Sequence, residues 1–243
     1  MSASDVFRDR GYSGTTDFAA EKPRQALFQR YCRELGGVKE DSRVLDIGCG
    51  WGFVAGPLSG YLGSDGTYDG IDVDEAKIQW CRSRFPGENF RFRTVDIAHP
   101  SYNPRGRIEA SKYRFPFSDG SFDSVILRSV FTVIPGAEAH NYISEIARVL
   151  KPGGRCLSTL FLLNRESLSL MNPQTSRYFK HSFGFFRTDA LDGSQAVAYD
   201  ENYFRVAFSL RGMKVKDPIY YGSWCGRDSV WGAQDIVVAV REI

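Results

Sequence analysis

The stretch that decides the fold is VLDIGCGWG at residues 44–52. Its first part is apolar except for Asp46 and is typical of a buried β-strand, while the glycines that follow occupy alternate positions. Glycine allows a tight turn with positive φ and lets a ligand approach the backbone. Asp46 would lie at the carboxyl end of the strand, the edge at which open α/β sheets bind ligands. The stretch therefore predicts a strand, a glycine turn and a ligand site.

The spacing of the glycines distinguishes this turn from two common nucleotide-binding motifs. Gly48, Gly50 and Gly52 form G-x-G-x-G, whereas a dinucleotide site has G-x-G-x-x-G and a phosphate loop has G-x-x-x-x-G-K-[ST]. The acid within the motif also suits a positively charged cofactor better than a pyrophosphate. A turn that only packs a helix against a strand is the simpler alternative.

Outward from this stretch, apolar strands alternate with helical segments. We predict strands at 43–47, 68–73, 90–95, 122–127, 156–163, 213–221 and 235–241, and helices at 21–35, 74–84 and 139–150. Strands separated by helices form parallel βαβ units with helices on both faces of the sheet. The last two strands have no helix between them, which predicts an antiparallel pair at one edge.

Two further acids stand at the ends of predicted strands. Asp72 ends the second strand about 20 residues after the glycine turn, where it could accept hydrogen bonds from both hydroxyls of a ribose. Asp96 follows the third strand and could accept a hydrogen bond from an adenine amino group. The simpler alternatives are a loop aspartate at Asp96 and a helix cap at Asp72, although Asp74 is better placed to cap that helix.

The composition is that of a globular protein with little bulk charge. Of 243 residues, 42% are hydrophobic and 25% are charged, and the net charge is +2, so nothing draws the chain to nucleic acid or to a membrane surface. The five cysteines show no C-x-x-C spacing, which argues against a disulfide framework and a structural zinc site. Without an apolar leader or membrane span, the sequence predicts a cytoplasmic protein. No cluster of His, Asp and Glu has the spacing of a metal site.

Taken together, these residues resemble the class I S-adenosylmethionine-dependent methyltransferases. The resemblance runs from about residue 44 to residue 160 and rests, in order, on residues 44–52, 70–72, 96, 115–125 and 148–154. It implies a Rossmann-like α/β fold with a seven-stranded sheet in the order 3-2-1-4-5-7-6, and one methyltransferase domain over residues 1–243. Residues 161–168, 196–201 and 221–227 are more weakly similar to methyltransferases of bacterial glycan and natural-product pathways.

The resemblance implies S-adenosylmethionine as the cofactor. The methionine part would lie over Asp46, Gly48 and Gly50, the ribose on Asp72, and the adenine beside Val73, Asp96 and Ile97. Arg128 would lie near the methionine and the substrate. The full expected set is Asp46, Gly48, Cys49, Gly50, Asp72, Val73, Asp96, Ile97 and Arg128.

The sequence leaves the methyl acceptor open. We expect a small molecule or glycan methylated on a hydroxyl, with an RNA or protein methyltransferase, or a non-catalytic cofactor-binding protein, as alternatives. Transfer to oxygen needs a group that removes the proton. His181 is the first candidate for this base and His140 the second, with His99 also near the ligand-binding edge. Many relatives carry a histidine after strand four, where this chain has Val133.

Three stretches lie outside the strand and helix alternation. Residues 1–40 are expected to form an N-terminal helical cap, and residues 97–116 and 164–198 are insertions near the active site, because loops of this length are usually functional. Residues 164–198 concentrate aromatic side chains and are predicted to be a mobile lid over the acceptor. An insertion that only packs on the domain, or one that forms a dimer contact, is the alternative, so we expect a monomer or a homodimer.

Overall fold

The structure, a computed structural model, describes residues 18–191 and 195–242, with side chains from residue 21 onward. The helices are α1 (Phe18–Glu34), α2 (Ala55–Leu58), α3 (Glu75–Arg84), α4 (Ala137–Val149), α5 (Arg165–Leu170) and α6 (Glu201–Ser209). The strands up to the fifth helix are β1 (Arg43–Ile47), β2 (Thr67–Asp72), β3 (Phe90–Thr94), β4 (Ile97–Ala98), β5 (Ile108–Glu109), β6 (Phe122–Arg128), β7 (Leu150–Leu160) and β8 (Leu162–Leu163). The later strands are β9 (His181–Ser182), β10 (Phe186–Thr188), β11 (Val197–Asp200), β12 (Met213–Val215) and β13 (Asp235–Arg241).

Seven strands form one large sheet in the order β12-β13-β7-β6-β1-β2-β3. Its core strands are parallel, and β13 runs antiparallel to both of its neighbours, β7 and β12. Numbered along the chain within this sheet, the order is 3-2-1-4-5-7-6. The predicted α/β fold and its strand order are therefore confirmed.

Helices cover both faces of the sheet because successive residues of a strand point to opposite sides. Leu45 of β1 belongs to one buried cluster, which includes Ile143 from α4 and Phe204 from α6. Val44, one residue earlier, belongs to the other cluster, which includes residues from α1, α2 and α3. The five cysteines are buried thiols with no disulfide between them. Among the described residues, none of the helices is long and apolar enough to cross a membrane.

Two predicted strands have different bounds in the structure. The strand predicted at 213–221 ends at Val215, and Tyr220 makes only an isolated bridge to Ile236. Pro218 lies between them and has no N–H to donate to a continuing ladder. The strand predicted at 156–163 is divided in two, because the chain leaves the large sheet after Leu160 and its next strand, β8, pairs with β11.

Residues 164–198 contribute most of a second sheet at the carboxyl end of β7. This small sheet has the order β8-β11-β10-β9, with β8 parallel to β11 and the other pairs antiparallel. It has a core of its own, in which the buried Phe179 ring lies 5.4 Å from the rings of both Phe161 and Trp224. The long segment is thus partly regular structure.

Candidate active site

A cavity of about 470 Å³ lies at the carboxyl ends of β1, β2 and β6. Its lining includes the glycine turn, residues of α1, and Gln195 and Ala196 of the segment before β11. Eight of the nine predicted cofactor residues line it, namely Asp46, Gly48, Cys49, Gly50, Asp72, Val73, Ile97 and Arg128. Carboxyl ends of parallel strands meet at one edge, which is why residues distant in sequence converge there.

The glycine turn needs its glycines for two different reasons. Gly48 has φ +73°, and a Cβ placed on it would lie 2.6 Å from the Val130 Cγ2 atom, so a side chain would collide with the loop after β6. Gly50 has φ +52°, and a Cβ there would meet nothing within 4 Å. Because the residue lines the cavity, that open space is available to a ligand.

Asp72 is held by the backbone on both of its carboxylate oxygens. Its Oδ2 atom accepts a hydrogen bond from the Gly50 N–H at 2.8 Å, and its Oδ1 atom accepts one from the Asp74 N–H at 3.0 Å. Asp74 in turn caps α3, as predicted, by accepting hydrogen bonds from the Ala76 and Lys77 N–H groups. A carboxylate has about four acceptor positions, so Asp72 keeps capacity for two hydroxyl donors.

Asp46 is buried at the end of β1 with one oxygen engaged and one not. Its Oδ2 atom accepts a hydrogen bond from the Tyr68 hydroxyl, and its Oδ1 atom has no hydrogen-bond partner among the described residues. Burial raises the pKa of the Asp46 carboxyl to about 7, against the opposing effects of the Tyr68 hydrogen bond and the Arg128 charge. A positive group placed at Oδ1 would restore the ionised form.

Asp96 is the predicted cofactor residue that the structure places outside the cavity lining. Its Oδ2 atom accepts a hydrogen bond from the Arg107 Nε–H at 2.5 Å, and Oδ1 accepts one from the Arg107 backbone N–H at 3.2 Å. Arg107 belongs to the predicted 97–116 insertion, so this insertion supplies the partner of Asp96. An adenine contact by Asp96 stays a prediction and would require the pair to open.

The three histidines occupy different environments. His99 lines the cavity, but its Nε2 atom lies 3.1 Å from the Val133 carbonyl oxygen and its Nδ1 atom accepts a hydrogen bond from the Ser101 N–H. These contacts fix a neutral ring with the proton on Nε2. His140 lies in α4, hydrogen-bonded to the Tyr203 hydroxyl, and His181 lies in β9 opposite Thr188. Neither is among the described residues that line the cavity.

A polar network that the sequence analysis missed lies beside Arg128. The Ser129 N–H donates to the Thr159 Oγ1 atom at 3.0 Å, and the hydroxyls of Ser129 and Thr159 donate to the Gln234 Oε1 atom at 2.9 and 2.6 Å. Ser129 has φ +61°, and it is the only non-glycine residue with a positive φ among the described residues. Such backbone strain is concentrated at functional sites. Ser129 directly follows the end of β6, so its position at the carboxyl end of a parallel strand could have indicated it.

The cavity lining also contains two buried acceptor oxygens, on Glu21 and Gln195. Glu21 Oε2 and Gln195 Oε1 have no hydrogen-bond partner among the described residues, although Glu21 Oε1 accepts a hydrogen bond from Arg24 at 3.2 Å. Three arginines, at positions 24, 128 and 177, line the same region. Nothing in the local sequence around residue 21 or 195 signals this role, because both residues reach the site only through tertiary packing.

Comparison with known proteins agrees with this geometry. Residues 45–158 match the family model described as a methyltransferase domain. A curated relative, the ubiquinone/menaquinone biosynthesis C-methyltransferase UbiE of Pseudomonas entomophila (strain L48), is 29% identical over 189 residues. The aligned part covers 76% of this chain and 64% of that protein, so the chain spans less than two thirds of this relative's length.

Solved structures share the fold at lower identity. A SAM-dependent methyltransferase from Aquifex aeolicus has a TM-score of 0.57 at 14% identity, with all of both chains covered. Magnesium protoporphyrin IX methyltransferase (ChlM) from Synechocystis PCC 6803, solved with bound SAH, has a TM-score of 0.56 at 16% identity, covering 92% of this chain and 84% of its own. The family match, the strand order and the acid-containing glycine turn lead to one conclusion: residues 45–158 are a methyltransferase domain, and the chain has the fold of the class I S-adenosylmethionine-dependent methyltransferases.

Proposed function

We propose that this methyltransferase transfers the methyl group of S-adenosylmethionine to a hydroxyl of a small-molecule or glycan acceptor. The observation that carries the proposal is a single cavity whose lining contains both the glycine turn and Glu21, which has a buried carboxylate oxygen. Cofactor and acceptor would therefore meet in one cavity, which the strained Ser129 also lines.

The residues of the turn fit the cofactor on chemical grounds. The bound cofactor supplies a methyl group on a positively charged sulfur, with a neutral thioether as the leaving group. Asp46 offers its unpartnered Oδ1 to the positively charged methionine end, and Asp72 offers its remaining acceptor positions to the ribose. The apolar side chains of Val73 and Ile97 line the cavity where we place the adenine.

The size of the cavity favours a small acceptor. Ligand pockets for small molecules occupy roughly 300–1,000 Å³, and a volume of about 470 Å³ must hold both cofactor and acceptor. Residues of α1 and of the segment before β11 line the same cavity as the glycine turn. An RNA or protein acceptor remains the alternative, but it would have to insert a single side group into this space, and the net charge of +2 gives it no electrostatic attraction.

Glu21 is the group we place as proton acceptor. The carboxylate lines the cavity and its Oε2 atom is buried, whereas the His99 ring is held by Val133 and Ser101. A general base must come within hydrogen-bond reach of the proton that it removes. His181 and His140, favoured from sequence, remain the alternatives, and either would first have to move to the cavity.

Transfer to carbon is the second candidate reaction, because the Pseudomonas relative is named a C-methyltransferase. An electron-rich ring carbon could occupy the same position as a hydroxyl oxygen, and the same base would then remove the ring proton. Incubation with candidate acceptors and ¹³C-methyl-labelled cofactor separates the two reactions. An O-methyl and a C-methyl product differ clearly in their carbon chemical shifts.

The test of the base uses variants on one helix. Glu21→Gln should lower kcat by about 10²-fold while leaving affinity for S-adenosylhomocysteine unchanged. Glu34→Gln, on the exposed face of α1 and paired with Arg30, is the matched control and should retain activity. Wild-type turnover in Glu21→Gln, together with a loss in His181→Ala or His140→Ala, would transfer the role to a histidine.

A further inference from the structure

A second cavity of about 130 Å³ adjoins the first one. The two cavities share Arg24, Phe53, Arg128, Ser129 and Gln234 as wall residues. The shared wall contains the Ser129 network, beside which we place the reacting group of the acceptor. The second cavity therefore extends the part of the first cavity that we propose for the acceptor. It lies between α1 and the segment that leads into β13. We call it the aromatic annex and define it by Leu27, Phe28, Tyr31, Phe53, Trp231 and Ile236.

Four of the six residues that define the annex are aromatic, and their rings contact one another in two pairs. The Tyr31 and Trp231 ring centroids are 5.7 Å apart, and those of Phe28 and Phe53 are 5.9 Å apart. Tyr220 braces Trp231 from outside the cavity, with ring centroids 4.4 Å apart. These contacts hold the rings in fixed orientations, which favours a flat, rigid ligand over a flexible one.

Polar side chains of the second cavity are gathered at its junction with the first. The Ser129, Thr159 and Gln234 network lies there, and the Arg128 guanidinium carbon lies 3.9 Å from the Phe53 ring centroid. Inside the annex, the Tyr31 hydroxyl already donates to the Trp231 carbonyl oxygen at 3.4 Å. A sugar ring carries hydroxyls around its whole rim and would leave most of them unpaired here, at a cost in free energy.

We propose that the aromatic annex binds an aromatic ring of the methyl acceptor, with the polar group that is methylated at the Ser129 junction. This inference rests on the proposed function and narrows its acceptor to an aryl compound. Apolar faces of the ring would pack on Phe28, Tyr31 and Trp231. The arginines at the junction would favour a hydroxyl that ionises, because a phenolate is stabilised by adjacent positive charge.

The test measures binding of 2-naphthol to the protein loaded with S-adenosylhomocysteine. The variant is Leu27→Asp, which places a charge in the annex at a residue that is 42% exposed and does not line the first cavity. The matched control is Leu210→Asp, at a residue that is 72% exposed and lies at the end of α6. We expect 2-naphthol to bind about tenfold more weakly to Leu27→Asp than to wild type or Leu210→Asp, because a charge replaces apolar contact.

The readouts distinguish this inference from the proposed function. Calorimetry with S-adenosylhomocysteine alone should give equal affinities for all three proteins, and failure of the wild type to bind it would overturn the proposed function itself. Equal affinity of Leu27→Asp and wild type for 2-naphthol, or no binding of 2-naphthol by a wild type that binds S-adenosylhomocysteine, would overturn the annex. Binding of methyl glucoside that is lost in Leu27→Asp would assign the annex to sugars and would also contradict the proposal.

Discussion

At the scale of single residues, Asp46 is a buried acid at the end of β1 and lies in the proposed cofactor site. Burial raises the pKa of its carboxyl to about 7, above the unfolded value of about 3.9, so the folded protein binds this proton more tightly than the unfolded chain. The free energy of unfolding should therefore fall as the pH rises from about 4 to about 7 through this group. Urea unfolding across that range should show a steeper loss for wild type than for Asp46→Asn, which does not titrate.

The substitution Asp46→Asn removes the titratable group while keeping the shape of the side chain. The asparagine side chain keeps an oxygen that can accept the Tyr68 hydrogen bond, so the packing of β1 against β2 should survive. Parallel pH profiles of the two proteins would show that Asp46 is already ionised in the folded state. The predicted pH dependence of the free energy of unfolding would then be wrong.

Gly50 tests whether the open space beside the turn belongs to the cofactor. Gly50→Ala adds a methyl group that meets no protein atom within 4 Å, at the cost of about 1–2 kcal/mol for a left-handed residue. Gly212→Ala is the matched control, since Gly212 has φ +65° and equally empty surroundings outside the cavity lining. Both variants should lose similar stability, but only Gly50→Ala should bind S-adenosylhomocysteine weakly. Equal binding by the two variants would contradict this placement.

Some residues could be expected at the cavity from a rule of topology. Asp46 and Asp72 were expected at the same edge of the sheet because each lies at the end of a parallel strand, and the family resemblance added Arg128; all three line the cavity, and their contact with the cofactor stays a prediction. Glu21 and Gln195 could not, since their positions depend on how α1 and the segment before β11 pack over that edge. Asp96 follows the rule in sequence, yet Arg107 holds its side chain away from the cavity lining.

At the scale of elements, residues 164–198 combine a packed part with an exposed hairpin. The Val197 N–H donates to the Thr132 carbonyl at 2.8 Å and the Tyr199 N–H to the Phe161 carbonyl at 2.9 Å, which ties β11 to the body of the protein. By contrast, β9 is an edge strand, and Phe183 in the β9–β10 turn is 45% exposed. The predicted lid would therefore be limited to this hairpin.

Amide hydrogen exchange distinguishes the packed strand β11 from the β9–β10 hairpin directly. Amides of β11 should be protected with or without ligand, while those of β9 and the turn at Phe183 should exchange fast in the ligand-free protein. If the hairpin is a lid, its exchange should slow when S-adenosylhomocysteine and an acceptor bind together. Protection of the hairpin in the ligand-free protein would support the packed alternative.

Asp235 joins the start of β13 to β8 and to the segment around residues 222–224 through hydrogen bonds. Its carboxylate accepts hydrogen bonds from the Leu162 N–H, the Gly222 N–H and the Trp224 Nε1–H at 2.7–2.8 Å, and the residue is fully buried. Asp235→Asn keeps the shape but replaces one acceptor oxygen with a donor group. We expect a loss of about 2–4 kcal/mol in the free energy of unfolding, measured with urea. A change in the free energy of unfolding below about 0.5 kcal/mol, which is typical of surface substitutions, would show that these hydrogen bonds contribute little to stability.

Element boundaries were predictable wherever the hydrophobic pattern was continuous. The predicted bounds of the strand over β1 coincide with the observed ones, and those over β2 and β3 lie within one residue. Prediction was poorer after Cys156, because β8 leaves the large sheet for a smaller one and both stretches look equally apolar. The small sheet depends on contacts between distant segments, which local periodicity does not encode.

At the scale of the whole molecule, the sequence indicated the fold and the cofactor better than the acceptor. The sheet order follows from the alternation of strands and helices, and the cofactor edge follows from the sheet. The part of the cavity that we propose for the acceptor contains residues of α1, of the segment before β11, and Gln234 just before β13. These parts come from segments that are distant in sequence, so the proposed acceptor site depends on tertiary packing more than on a local motif.

The most direct test of the central claim is calorimetric titration of the wild type, Asp72→Ala and Asp74→Ala with S-adenosylhomocysteine. Both variants remove one carboxylate near the start of α3, but only Asp72 lines the cavity. Asp72→Ala should lose about 1–3 kcal/mol of binding free energy with its ribose contacts. Asp74→Ala should lose about 1 kcal/mol of stability as a helix cap and keep the affinity of the wild type. Unchanged affinity in Asp72→Ala would contradict the assignment of the cofactor site to this edge of the sheet.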